Sequence, residues 1–327
     1  MIRTNRNAAH KVLEARLLRH LLHLPAGATA AAPSGSTPAA STLSVEPTRL
    51  ASPLFIVAAP RSGSTLLFET LAATPQLHTL GGEAHWLIEG SEELRPGAAG
   101  IYSNRLDAEH ATSAVAQRII DRVLRNLQDS QGQPANAAGG SIRLLEKTPK
   151  NALRIPFLNA VFPDARFIFL WRDPRENLAS IIEAWRSGNW TTYAELPGWD
   201  GPWSLLLPPG WQALRGRPVG EVAAFQWESA NRIVLDDLSR LAPGRWTPVG
   251  YSELVSQPEA TVRRLCGFAG LEFDAALAER TAAPLPLARY THTPPAADKW
   301  RAHEGVIESV LPRVEATWKR LRAMGSG

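Results

Sequence analysis

Five consecutive residues, Arg61-Ser62-Gly63-Ser64-Thr65, combine one fixed positive charge, three hydroxyls and a glycine. They follow the apolar run "LFIVAA" (54–59) and precede "STLLFETLAA" (64–73), which has apolar helical spacing. Small residues at a strand-to-helix junction let backbone N–H groups turn inward. The first helical turn adds unpaired N–H donors and the positive end of the helix dipole. Such a junction binds phosphate or sulfate. Arg61 adds charge, and Ser62, Ser64 and Thr65 add donors; the bland alternative is a serine-capped helix. The Walker pattern G-x-x-x-x-G-K-[ST] fails at two places, because residue 58 is Ala and Ser64 stands where lysine is required. A nucleotide with a 5′-phosphate but no triphosphate fits this loop better than ATP.

A second pair points to the same chemistry. Arg172 lies just past "RFIFLW" (166–171), and Ser180 lies about two helical turns farther on. Both can face the sheet edge that carries Arg61. Two separated anion sites on one edge imply a ligand with two phosphate-like ends. The bland reading of Arg172 is an ion pair with Asp173 or Glu176.

The elements that must position these groups alternate. Strands are expected at 54–59, 142–147, 166–171 and 245–251, with a further one at 76–82. Helices are expected at 64–73, 108–128, 151–162, 174–185, 219–240 and 258–269. Pro174 suits the first turn of its helix. Alternation of this kind gives an α/β fold, a parallel sheet flanked by helices on both faces. Residues 186–216 stand apart, with Trp190, Trp199, Trp203 and Trp211 among many Pro and Gly. This irregular Trp/Pro/Gly-rich insertion reads as a lid over substrate or as a loop pinned by its own tryptophans.

The chain has 327 residues, 44% of them apolar and 20% charged, with a formal charge of +4. That bias is mild, and no dense basic run favours nucleic acid. The single cysteine, Cys266, excludes an intrachain disulfide and a cysteine-based metal site, and suits a cytoplasmic setting. Leu13, Leu17, Leu21 and Leu24 share one helical face, while Arg16, Arg19, His20 and His23 break the apolar stretch, which argues against a secretory core. Residues 25–52, rich in Ala, Pro, Ser and Thr, read as a linker. Residues 1–52 are therefore expected to be a basic amphipathic helix plus linker, and 53–327 the catalytic domain. No apolar run is long enough for a transmembrane segment.

Together "PRSGSTLL" and "FIFLWRDPRENLAS" resemble the 5′-phosphosulfate loop and 3′-phosphate segment of the sulfotransferases that use 3′-phosphoadenosine 5′-phosphosulfate (PAPS). "TPVGYSELVSQPEATVRRLCGFAGL" resembles the stretch carrying that family's cofactor-facing tyrosine, here Tyr251, and "DKW" (298–300) its C-terminal basic element, here Lys299. The likeness runs from residue 53 to about 301 and is nearest to the branch of tyrosylprotein and bacterial small-molecule enzymes. It implies a P-loop-NTPase-like fold, PAPS as co-substrate without a metal, and release of adenosine 3′,5′-bisphosphate. Arg61 would hold the 5′ end, and Arg172 with Ser180 the 3′-phosphate.

For the general base the resemblance implies Glu83, in "LHTLGGEAHW". The tyrosylprotein branch has "GEE" near this point; here the first Glu is replaced by Gly82 and the spacing from the loop is one residue longer. His85 is the alternative base, since cytosolic relatives use histidine. Lys147, in "LLEKTPKN", matches the lysine that meets the bridging or a sulfuryl oxygen, with Lys150 as the alternative. The Trp-rich insertion suggests a small-molecule hydroxyl acceptor: an apolar alcohol, phenol, lipid or natural product. Two rivals are a P-loop kinase or NTPase, and a nucleotide-binding scaffold without catalysis. Oligomeric state is open.

Overall fold

The computed structural model describes residues 49–98, 100–135, 141–289 and 298–324. The expected N-terminal amphipathic helix with Leu13 to Leu24, and nearly all of the expected linker, lie outside the described residues. The described strands are β1 (Arg49–Leu50), β2 (Leu54–Ala58), β3 (Ser141–Ile142), β4 (Leu145–Glu146), β5 (Arg166–Trp171), β6 (Thr191–Tyr193), β7 (Trp203–Ser204) and β8 (Trp246–Gly250). The described α-helices are α1 (Ser64–Leu71), α2 (His85–Glu89), α3 (Ser113–Asn126), α4 (Ile155–Val161), α5 (Pro174–Ser187), α6 (Val219–Leu238), α7 (Tyr251–Ser256), α8 (Pro258–Ala269), α9 (Ala275–Thr281), α10 (Glu304–Val310) and α11 (Glu315–Met324).

The central sheet runs β4-β2-β5-β8, and every neighbouring pair in it is parallel. Side chains of β2 alternate between two cores. Leu54, Ile56 and Ala58 pack with α1, α8 and α9 on one face. Phe55 and Val57 pack with α3, α4, α5 and α6 on the other. Both faces are thus covered by helices, which is why these strands read as unbroken apolar runs. Phe55 pairs in register with Phe167, and their rings stack at 5.7 Å. Burying each phenyl contributes about 1.5–3 kcal/mol.

Several expected elements change at their edges. Residues 76–82 do not form a strand: His78 makes one parallel bridge to Leu144, Thr79 one antiparallel bridge to Gln128. Gly81 and Gly82, at φ 80° and 154°, then turn the chain away. The helix expected from 108 begins as a 3₁₀ turn (Ala108–His110), and α3 starts after Thr112, whose hydroxyl accepts from Val115 N. The strand expected at 142–147 is split, β3 pairing with β1 and β4 with β2. α4 is preceded by a 3₁₀ turn, Pro149–Leu153. β8 stops at Gly250, so that Tyr251 opens α7.

The Trp-rich insertion contains a short antiparallel pair, β6–β7. Trp203 meets Trp185, Trp199 and Trp211 edge to face with centroids 4.8–5.6 Å apart, and it is fully buried. Trp199, Trp203 and Trp211 pin the loop from within, and Trp185 of α5 packs against them. Asn104 fastens it to the body: its side chain accepts from Leu207 N at 2.6 Å and donates to the Tyr193 hydroxyl at 2.6 Å. No helix among the described residues is long and apolar enough to cross a membrane.

Candidate active site

The loop between β2 and α1 opens at the carboxyl end of the sheet. Arg61 takes a left-handed conformation (φ 65°) and Gly63 has φ 97°. Gly63 is required twice over, because a Cβ there would lie 2.5 Å from two ring carbons of Tyr251. Ser64 and Thr65 stand in the first turn of α1, which has no acidic residue. Ser62 departs from the expected role. It is fully buried, and its hydroxyl donates inward to Asn177 Oδ1 at 2.9 Å. Asn177 Nδ2 in turn donates to the Pro60 carbonyl at 2.8 Å, fastening the loop to α5. Asn177 was not singled out from the sequence, although it lies one helical turn before Ser180 on the same face.

Arg61 Nε donates to Ser180 Oγ at 3.3 Å, and its guanidinium lies 4.2 Å from the centre of the Trp190 ring. Burial holds Arg61 below its ordinary pKa, with Arg172 adding to the drop and Glu83 and Glu183 opposing it. Arg172 Nη1 is 3.5 Å from the Arg61 carbonyl, and its guanidinium covers the Tyr251 ring at 4.3 Å. Arg172 also makes the i,i+4 ion pair with Glu176, at 2.8 Å. The residues expected to form the two anion sites therefore lie side by side along one wall. Lys299 Nζ joins it from the C-terminal segment through Glu183 at 2.9 Å. Glu183 follows Ser180 by three residues on α5, so helical periodicity was the signal for it.

The expected proton-transfer groups meet beside this wall. Lys147 Nζ is ion-paired with Glu83 Oε1 and donates to Thr65 Oγ1 at 3.0 Å. His85 Nε2 lies 3.2 Å from Glu83 Oε2. Burial pushes the Glu83 carboxyl up, but the His85 hydrogen bond and the Lys147 charge outweigh it and hold the group at about 2. Glu83 is therefore a carboxylate throughout the ordinary pH range. Lys150 is placed differently: it pairs with Glu89 at 2.5 Å, and Glu89 also holds Arg154 at 2.5 Å. Burial lowers Lys150 to about 8 despite Glu89, with Arg154 adding to the drop. Of the two lysines, Lys147 is the one that touches both the loop and Glu83.

A cavity of about 860 Å³ gathers these parts. Arg61, Gly63, Ser64, Thr65, Glu83, His85, Arg172, Ser180, Tyr251 and Lys299 line it, together with Trp190, Leu205, Leu206, Leu285 and Leu287. Ser62 and Lys147 stand behind that lining, Lys147 being 2% exposed. Backbone donors at a helix start, three cations and hydroxyls on one wall suit a nucleotide with several anionic groups. The cavity lies within the size range of cofactor sites. Glu83, with His85 beside it, can accept a proton from a hydroxyl.

A sequence model described as the sulfotransferase family matches residues 53–275. The chain is 26% identical over 225 residues to a protein-tyrosine sulfotransferase of Drosophila melanogaster, covering 66% of this chain and 37% of that one. It is 24% identical over 230 residues to protein-tyrosine sulfotransferase 2 of Gallus gallus, covering 67% and 51%. It is 30% identical over 141 residues to the nodulation protein NoeE of Sinorhizobium fredii, covering 40% and 31%. The chain thus spans about half or less of the length of these curated relatives. Among solved structures, the sulfotransferase domain of the Synechococcus PCC 7002 olefin synthase is 24% identical with a TM-score of 0.46, covering 80% of this chain and 95% of that one. Mouse sulfotransferase SULT7A1, complexed with PAP, is 13% identical with a TM-score of 0.42, covering 83% and 88%.

Proposed function

The chain belongs to the sulfotransferase family, and from that premise we propose that it transfers a sulfuryl group from PAPS to the hydroxyl of a small-molecule acceptor. The observation that carries this reading is the position of Lys147, between Thr65 of the anion-binding loop and Glu83. It joins the group that would steady a leaving anion to the group that would take a proton. When bound, PAPS supplies an activated sulfuryl group and an adenosine 3′,5′-bisphosphate leaving group.

This chain's own residues do the rest. The Arg61–Thr65 loop holds the 5′ end through backbone N–H groups, the Ser64 and Thr65 hydroxyls and the Arg61 charge. Arg172 and Ser180 hold the 3′-phosphate, with Tyr251 beside the nucleotide and Lys299 supporting the same end. Glu83 takes the acceptor's proton, and His85 orients it. Lys147 stabilises charge that appears on the transferred group and on the bridging oxygen. Positioning and electrostatics dominate such a reaction, as they do in phosphoryl transfer. The roles need no metal.

Leu205, Leu206, Leu285 and Leu287 on the cavity wall support an apolar acceptor. The experiment is incubation of the chain with sulfur-labelled PAPS and a panel of phenols, aliphatic alcohols and a tyrosine peptide, with mass detection of sulfated products. Sulfation of the phenols or alcohols supports the reading. Sulfation of the peptide alone moves the acceptor to protein tyrosine; no sulfated product, with release of inorganic phosphate in a parallel incubation with ATP and magnesium, rejects it.

A further inference from the structure

Glu146 ends β4 immediately before Lys147, and it is 1% exposed. Burying an ionised carboxylate costs several kcal/mol unless it is well paired, and burial pushes the Glu146 carboxyl up to about 7, with the Thr148 and Asn151 hydrogen bonds and the Lys147 charge opposing the rise. Among the described residues no Lys or Arg forms an ion pair with it. Its partners are neutral: Thr148 Oγ1 donates to Oε1 at 2.5 Å, and Asn151 Nδ2 donates to Oε2 at 2.6 Å. It does not line the cavity.

The Thr148 hydroxyl explains the arrangement. A hydroxyl has one proton and two lone pairs. With its proton committed to Glu146, a lone pair is left to receive the Ala84 N–H, at 2.9 Å. Ala84 lies between Glu83 and His85. The chain enters this segment through Gly81 and Gly82, both at positive φ, which leaves its direction open unless something beyond the turn holds it. The same carboxylate ties Asn151 to Thr148 across the start of the Pro149–Leu153 turn. One buried group thus sets both the backbone next to Glu83 and the segment that carries Lys147.

We propose that Glu146 is a positioning residue for sulfuryl transfer: its carboxyl group, accepting through both oxygens, orients the Thr148 hydroxyl to hold Ala84, and so keeps Glu83 against Lys147. The proposal rests on the sulfotransferase reading for its kinetic consequence, while its structural half stands apart from that reading. A misplacement of about 1 Å at a reacting group costs on the order of a hundredfold in rate. Glu146→Gln puts an amide donor against one of the two existing donors. Thr148→Val removes the hydroxyl at nearly constant shape.

The test measures three things in the 327-residue chain: kcat with PAPS and an accepted phenol, calorimetric affinity for adenosine 3′,5′-bisphosphate, and amide exchange of residues 80–88. Each variant is expected to lower kcat about tenfold to a hundredfold, to leave nucleotide affinity within about twofold, and to speed exchange of that segment. The double variant is expected to be no worse than the weaker single one, because both break one chain of contacts. Thr148→Ser, which restores the hydroxyl, recovers turnover relative to Thr148→Val. A folded Glu146→Gln with the parent's kcat, additive losses, or unchanged exchange around Ala84 overturns the proposal. Should Glu146→Gln fail to fold, unchanged exchange and kcat in Thr148→Val overturn it equally. If the parent chain sulfates nothing, the functional reading fails, and exchange still decides whether Glu146 holds Ala84.

Discussion

Lys147 Nζ is ion-paired with Glu83 Oε1 across 64 residues of chain, at the mouth of the loop that starts α1. The pair has an electrostatic consequence for Glu83. Glu83 is kept ionised by Lys147 and His85 against the opposing effect of its burial. Removing the lysine therefore leaves burial with less to oppose it.

Glu83→Ala is expected to lower turnover on the order of 10²–10⁴-fold while leaving nucleotide affinity nearly unchanged. His85→Ala should cost less, since His85 reaches the reaction through Glu83. If His85→Ala abolishes turnover and Glu83→Ala does not, the base is His85. Lys147→Met should also move the pH profile. With Glu83 at about 2 in the parent, kcat/KM has no acid limb from this group near neutrality. Loss of the neighbouring cation raises the carboxyl pKa, so an acid limb appears at higher pH. Rates across pH 4–9 for parent and variant check the sign.

Arg172→Ala is expected to weaken adenosine 3′,5′-bisphosphate binding about ten- to a hundredfold. A hydrogen bond to a charged group contributes about 1.5–3 kcal/mol. Adenosine 5′-monophosphate, which lacks the 3′-phosphate, should lose much less. Titration calorimetry with both nucleotides separates this role from general loss of the Glu176 ion pair, and equal losses for the two would reassign Arg172 to structure.

Gly63→Ala should both strain the loop and strike the Tyr251 ring. An L-residue forced into such a conformation costs roughly 1–3 kcal/mol, and overpacking a similar amount. The expected result is a lowered Tm and loss of nucleotide binding. Adding Tyr251→Ala should recover the steric part of the Tm loss and leave the part due to φ, which thermal melts of the single and double variants measure.

Asn104→Ala tests how the Trp-rich insertion is held. The side chain is fully buried and joins Leu207, Tyr193 and Glu89. Leaving such donors and acceptors unpaired costs about 1–3 kcal/mol. Limited proteolysis should become faster between residues 191 and 211, with a smaller effect on the thermal unfolding of the sheet. Unchanged cleavage there would mean that the stacked tryptophans hold the insertion without help.

Much of this molecule could be read directly from residue order. The apolar runs 54–59 and 166–171 end at Pro60 and at Arg172-Asp173-Pro174, and each announces a buried strand turning into a helix. Apolar burial, φ at glycine and proline placement are local properties, so the turn from β2 into α1 and the start of α5 were legible. Only the tertiary structure decided the rest. Parallel register between β2, β4 and β5 brings Arg61 to Ser180, Lys147 to Glu83 and Ser62 to Asn177, pairs 64 to 119 residues apart. Side-chain direction also depends on which neighbour is within reach. Ser62 turns inward because Asn177 is there, Trp203 packs among tryptophans while Trp190 faces Arg61, and Glu146 is buried without a cation because Thr148 and Asn151 satisfy it. Local periodicity says which residues are apolar and where the chain turns; strand order and register determine which distant side chains meet.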